Sequence, residues 1–553
     1  MDNYQKYTKL YDWKKPKKRK WVDNEIKEAP IWCSVDLRDG NQALANPMNL
    51  EEKIKFFEYL VKIGFKEIEI GFPAASETEF KFTRYLIENN KIPDDVKIQV
   101  LTQSRPEIIE KTFKAVEGAK NVIIHLYNST SKIQREIVFN KSKDETKKMV
   151  TDGASLMVEY AKKYPNTNWH FEYSPENFNI TELDYVIEVI NSVLDKWKNN
   201  TKNKIIINLP ATIECSTPNI FADQVEYVVE NIKHRNNVII SVHSHNDRGT
   251  GVATSEMAIL AGAQRIEGAL FGNGERTGNA DIINIAINMF VLGIDPKLNF
   301  SNINEVKEIY EQCTKMGVEP RHPYAGELVF TAFSGSHQDA ISKTLQTMKN
   351  EKIKYWEVPY LPIDPADLNR QYEPIIRINS QSGKSGITYI LENIYGYIIP
   401  KKMKQEVGYY IKNVSDKLNR ELETKEVYEY FIKEYENRED KIKVKSYYIN
   451  NKKDQTQIKI KLIFENKMIE KIGIGNGPIE AFINILKEMK FNIEFKNYTQ
   501  QSSNDNNEKS YAITYINMVI DGKNIWSIGK DADVVKSSLL GIISGVNIAL
   551  NKI

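Results

Sequence analysis

Cysteine is nearly missing from this chain. Cys33, Cys215 and Cys313 are all it has, far apart and odd in number. They cannot build a disulfide framework, which suits a reducing cytosol and a cytoplasmic protein. Net charge is nearly missing as well. Lys+Arg 76 against Asp+Glu 74 leave +2 at pH 7, which removes any global electrostatic case for nucleic acid. No stretch approaches the roughly 20 consecutive apolar residues of a membrane-spanning helix. The basic run Lys14–Lys20 lacks the apolar core of a secretory signal, and Asp2 and Asp12 with the want of serine disfavour a transit peptide. It reads as a solvated arm, docked on the body by Trp13 and Trp21.

What is there is a long chain of 553 residues, 41% hydrophobic and 27% charged, too much for one ordinary domain. Its first half repeats a strand-plus-helix unit. Ile31–Asp36 opens into Leu37-Arg38-Asp39-Gly40, and Asn49 caps a helix over Leu50–Ile63 that Gly64 stops. Strands follow at Phe65–Ile70, Val96–Leu101, Asn121–Ile124, Asn168–Phe171, Lys204–Asn208, Asn237–Val242 and Arg265–Phe271. Helical periodicity fills the gaps, as over Glu182–Lys196 and Pro218–Ile232. Eight such units predict an α/β fold, a (β/α)₈ TIM barrel.

In such a barrel the functional residues sit at the C-terminal strand ends. There the chain places Arg38 and Asp39, Gln103, His125, Ser174 and Glu176, Thr212, His243 and His245, then Asn273, Glu275 and Asn279. His243 and His245 alternate along one strand, so both imidazoles leave the same face. A lone H-x-H is weak evidence, but with Asp39 it becomes an O,N,N set suited to Mg, Mn, Zn or Fe(II), to which Asn279 could add a carbonyl oxygen. The Gly272–Asn279 loop lacks the dinucleotide fingerprint, and reads equally as a connector or as an anion cradle.

Four stretches carry a resemblance: Leu37–Gln42, His243–Gly249, Gly272–Asn279 and Ser334–Ala340. Together they resemble the metal-dependent acyl-CoA-condensing barrels. Val358–Asp364 and Ser336–Asp339 narrow the likeness to the long-form α-isopropylmalate synthases, over nearly the whole chain, Trp21 to Asn551. The resemblance implies condensation of acetyl-CoA with α-ketoisovalerate, the first committed step of leucine synthesis, in a homodimer. It implies a divalent metal (Mg, Mn or Zn) on Asp39, His243, His245 and Asn279, with potassium as an activating ion. Arg38 would stabilise the developing oxyanion. His125, Ser174 and Thr212 would line the keto-acid pocket, and Glu275 would sit near metal and acetyl-CoA. His337, oriented by Glu176, would be the base, and Tyr360 could approach the substrate or simply pack in its Pro-rich segment. Homocitrate or citramalate synthesis would need only a reshaped pocket, and an acyl-CoA lyase shares the metal residues but should lack the C-terminal part.

That part gives the remaining organisation: an arm over 1–29, the barrel over 30–330, linker subdomains over 331–435, and a regulatory α+β domain over 436–553. Ser380–Gly386 reads as a Gly/Ser hinge. The last domain repeats β-β-β-α, over Lys441–Leu486 and Phe491–Leu540, with Gln500–Lys509 as a polar loop between strands. Each repeat starts its helix after a turn, a place that attracts a carboxylate. Gly475 and Gly477 allow close backbone approach there, and the resemblance implies leucine as the effector. A dimerisation domain without a ligand is the competing reading.

Overall fold

Parallel strands following one another through helices have one economical closure, and the computed structural model of the chain adopts it. Residues 6–551 are described, apart from 333, 352, 373–386, 389, 419, 421, 453–454 and 505–509. The expected hinge at Ser380–Gly386 lies outside them. The strands β1 (Ile31–Ser34), β2 (Glu67–Gly71), β3 (Lys97–Gln103), β4 (Asn121–Ser129), β5 (Asn168–Glu176), β6 (Ile205–Ala211), β7 (Val238–Ser244) and β8 (Arg265–Gly268) close into a barrel in sequence order. Each strand is parallel to its neighbours, and β8 returns to β1 with Ile31 opposite Arg265.

Local chemistry explains the helix boundaries. Over Leu50–Ile63, the Asn49 side chain accepts from Glu52 N while Glu52 reaches back to Asn49 N, and Gly64 ends the helix at φ 117°. The expected eighth strand is shorter than its apolar run suggests: Leu270–Gly272 turns into a 3₁₀ segment, with Phe271 at φ 56°. After β1, Asp36–Gly40 forms a single wide helical turn. Asp36 holds it, accepting from Ser34 Oγ at 2.7 Å and Leu270 N at 3.0 Å. That turn carries Arg38 and Asp39 to the barrel mouth.

Barrel interiors usually fill with Val, Ile and Leu. Here Glu67, Glu69, Gln99, Glu172, Arg265 and Glu267 are all buried, joined by His125, Ser174, Asn208 and His243. Arg265 is fully enclosed and is met by Glu67 at 2.6 Å, Gln99 at 2.6 Å and Glu267 at 3.0 Å. Charge at that depth survives only where it is matched.

The chain divides into two units, the first comprising 1–330 with 363–371 and the second 331–362 with 372–553. In the second, β9 (Ile442–Lys452), β10 (Gln455–Phe464) and β11 (Lys467–Gly475) form one antiparallel sheet, followed by the helix Pro478–Glu488. β12 (Ile493–Asn504), β13 (Ser510–Ile520) and β14 (Lys523–Asp531) form the other, followed by Val534–Asn551. The repeat is therefore β-β-β-α twice. One expectation is corrected: Gln500–Asn504 are not loop but the end of β12, paired with Ser510–Thr514. Hydrogen bonds absorb the polarity: Gln500 donates to Thr514 Oγ1 at 2.8 Å and Gln501 to the Tyr515 hydroxyl at 3.0 Å, while the rest of the expected loop, 505–509, lies outside the described residues. The expectation about apolar stretches also needs amending. Val534–Asn551 is long and apolar enough to cross a membrane, yet most of it is buried against β13 and β14. Its approach is close, since a Cβ on Gly529 would lie 1.8 Å from Ser537 O.

Candidate active site and metal centre

The barrel mouth holds a cavity of about 320 Å³. Arg38, Asp39, His125, Ser174, Glu176, Thr212, His243, His245 and Glu275 line it, so most of the expected site residues converge on one space. Its wall also includes Gln42, Leu101, Tyr127, Asn208 and Arg276, to which the sequence reading had assigned no role.

Asp39, His243 and His245 each offer a ligand atom, and these atoms lie within 4.8 Å of one another. All three residues are buried. Burial opposes ionisation of Asp39, but Arg38 foremost and then the two histidines outweigh it and hold the carboxyl at about 2. Burial, followed by the neighbouring His243, lowers His245 to about 4. Asp39 is thus a carboxylate and His245 a neutral imidazole, the ligand form of each, whereas His243, where Glu267 outweighs burial, is raised above the ordinary imidazole value and sheds a proton on ligating.

Two orphaned atoms test whether a cation fits. His245 Nδ1 and Asn279 Oδ1 are buried with no hydrogen-bond partner, a costly state unless something fills it. Asn279 Nδ2 donates to Asp39 Oδ2 and to Asn273 O, each at 2.8 Å, which fixes the amide and leaves its oxygen unpartnered. Backbone comes close here too: a Cβ on Gly274 would meet Asn279 Nδ2 at 2.2 Å and Asp39 Oδ2 at 3.0 Å. The residues fit a divalent ion.

Beside the ligands runs a hydrogen-bonded arc. Arg38 donates to Asp39 Oδ1 at 2.7 Å and to Glu69 Oε2 at 2.5 Å. Glu69 Oε1 meets His125 Nδ1 at 2.8 Å, and His125 Nε2 meets Ser174 Oγ at 2.7 Å. Asn208 Nδ2 bridges Ser174 Oγ and Glu267 Oε2, each at 3.0 Å. Thr212 Oγ1 accepts from Asn177 N at 2.9 Å, which leaves its hydrogen to donate. Ser129 Oγ donates to Glu176. Arg276 clamps Asp247 through two bonds of 2.7 and 3.0 Å and donates to Thr212 O at 2.6 Å.

Glu69 and Glu267 escaped the sequence reading. A signal existed: in Glu67-Ile-Glu-Ile and Arg265-Ile-Glu-Gly, every second residue is charged on strands otherwise apolar. His337 and Tyr360 belong to the second unit, where their rings stack with centroids 3.8 Å apart. Gly475 and Gly477 are in that unit as well, ending β11 and capping the helix Pro478–Glu488.

Three family models match most of this chain. An HMGL-like model matches residues 29–310, an α-isopropylmalate synthase post-catalytic domain-like model 327–392, and a LeuA allosteric (dimerisation) domain model 421–550. The 2-isopropylmalate synthase of Clostridium acetobutylicum is 51% identical over 98% of this chain and 99% of its own length. That of Helicobacter hepaticus is 49% identical over 99% of both. Among solved structures, the hydroxymethylglutaryl-CoA lyase of Pseudomonas aeruginosa covers 54% of this chain and 97% of its own, at 15% identity and a TM-score of 0.44.

Proposed function

We propose, from the premise that this chain belongs to the 2-isopropylmalate synthase family, a residue-level account of the barrel mouth. The protein is an acyltransferase. The methyl carbon of acetyl-CoA loses a proton and bonds to the keto carbon of α-ketoisovalerate, and water then cleaves the thioester to give 2-isopropylmalate and free CoA. Feedback by leucine belongs to the same assignment, since the chain carries the LeuA domain.

Asp39, His243, His245 and Asn279 would hold a divalent cation, Mg, Mn or Zn, which would supply Lewis acidity toward the bound keto acid. Arg38 faces the oxygen on which negative charge develops. Its guanidinium is already fixed by Asp39 and Glu69, so no reorganisation is needed as that charge grows. Thr212 donates its hydroxyl hydrogen to the substrate carboxylate. His125 and Ser174, locked to each other at 2.7 Å, shape the wall of the keto-acid pocket. Glu275 faces the acetyl-CoA side. His337, its ring stacked on Tyr360, is the base that takes the methyl proton. The dimerisation domain supports a homodimer. Leucine binds at the start of the helix Pro478–Glu488, beside Gly475 and Gly477.

The convergence of Asp39, His243 and His245 on one buried point at the barrel mouth carries this reading. Thiol release from acetyl-CoA, measured across a panel of 2-oxo acids, tests it. Turnover with α-ketoisovalerate well above that with pyruvate or 2-oxoglutarate is expected. Activity confined to pyruvate would make the protein a citramalate synthase instead.

A further inference from the structure

Glu267 lies on β8 directly opposite His243 on β7. Its Oε2 stands 2.8 Å from His243 Nδ1, and Asn208 Nδ2 donates to the same oxygen at 3.0 Å. Its Oε1 accepts from Gln99 Nε2 at 2.7 Å and from Arg265 Nη1 at 3.0 Å. The side chain is wholly enclosed, and four donors crowd its two oxygens. A carboxylate can only accept, so His243 must carry a hydrogen on Nδ1, and Nε2 is the nitrogen left to give its lone pair to a metal.

We propose that Glu267 is the positioning residue of the metal centre: it selects the tautomer and ring plane of His243, while Arg265, Gln99 and Asn208 hold Glu267 in place. The claim rests on the metal reading of Asp39, His243 and His245. It assigns part of the metal affinity to a side chain that touches neither ion nor substrate. Orientation of this kind is where outer ligand shells act.

The isosteric amide makes the sharpest test. In Glu267→Gln the amide oxygen is drawn to Arg265 and Gln99, both donors, so the NH₂ group turns toward His243. That imidazole must then accept on Nδ1 and protonate Nε2, the nitrogen the metal needs. Glu67→Gln is the control, because Glu67 grips Arg265 at 2.6 Å on the far side of the network from His243.

Calorimetry with Co²⁺ on the metal-free full-length protein should give a Kd about 10–100-fold weaker for Glu267→Gln, with altered visible bands. Glu67→Gln should lower Tm and leave the Kd within about threefold of the native value. Long-range ¹⁵N–¹H spectra of the native protein, which has only 7 histidines, should show His243 protonated on Nδ1 before metal is added. An Nε2–H tautomer there, an unchanged Kd in Glu267→Gln, or an equal loss in Glu67→Gln would overturn the proposal. His243→Ala separates the two readings. If it binds Co²⁺ as well as the native chain, the metal reading itself fails; if it binds none while Glu267→Gln binds normally, only the role of Glu267 falls.

Discussion

Arg38 Nε lies 2.5 Å from Glu69 Oε2, and this bond ties the metal ligands to the substrate pocket. The other arm of Arg38 reaches Asp39 Oδ1 at 2.7 Å, and the other oxygen of Glu69 reaches His125 Nδ1 at 2.8 Å. One planar fork thus stands between two carboxylates, a geometry that a point charge does not reproduce. Arg38→Lys should keep the fold and lose about 10²–10³-fold in kcat, with a much smaller change in KM for the keto acid. Steady-state kinetics on a variant with native circular dichroism decides it; an equal loss carried by KM would make Arg38 a binding residue only.

Much of the site could be read from the chain because its ligands end strands. His243 and His245 flank one serine, so their common face follows from the pleat alone, and Asp39 follows a strand whose partner is the last of the barrel. Glu69 and Glu267 were not legible in the same way. Their effect depends on Arg38, Arg265 and His243, partners far off in sequence that only barrel closure supplies. Gln500–Asn504 misled for the opposite reason: polar composition suggested a loop, whereas pairing with β13 satisfies that backbone regardless of side chain.

Metal should stabilise as well as activate. A ligand that binds only the folded barrel adds about 2.7 kcal/mol at a hundredfold excess over its Kd. Chelation should therefore abolish turnover and lower the barrel's unfolding temperature by a few degrees, and Mn²⁺ should restore both. In His243→Ala the metal-dependent rise in Tm should vanish while the metal-free Tm stays near native. A full metal response in that variant would remove His243 from the ligand set.

His170 gives the barrel a pH-dependent weakness away from the mouth. Burial, aided by Lys97 and opposed by Glu67, lowers it from 6.5 to about 4. The folded chain therefore takes up that proton later than the unfolded chain. The resulting stability is whole above pH 6.5 and drains away as pH falls toward 4. His170→Gln should flatten this limb by about 1–2 kcal/mol after allowance for partial exposure. Urea titrations at pH 7 and pH 5 measure it: the loss between the two should be smaller in the variant. An identical loss in both proteins would assign the acid sensitivity to other groups.

The two glycines before the helix Pro478–Glu488 should separate regulation from catalysis, for different physical reasons. A Cβ on Gly475 would lie 2.5 Å from Ala481 N, so even alanine there must push the helix start away from β11. Gly477, by contrast, has open space around its Cβ position and caps the helix N-terminus. Gly477→Asp places negative charge where the helix dipole would attract a leucine carboxylate, at little steric cost. Both variants should raise the leucine concentration for half-inhibition at least about tenfold and leave kcat without leucine near native. Equilibrium dialysis with labelled leucine distinguishes lost binding from lost coupling. If Gly477→Asp still binds and responds to leucine as the native protein does, the effector carboxylate does not lie at this helix end.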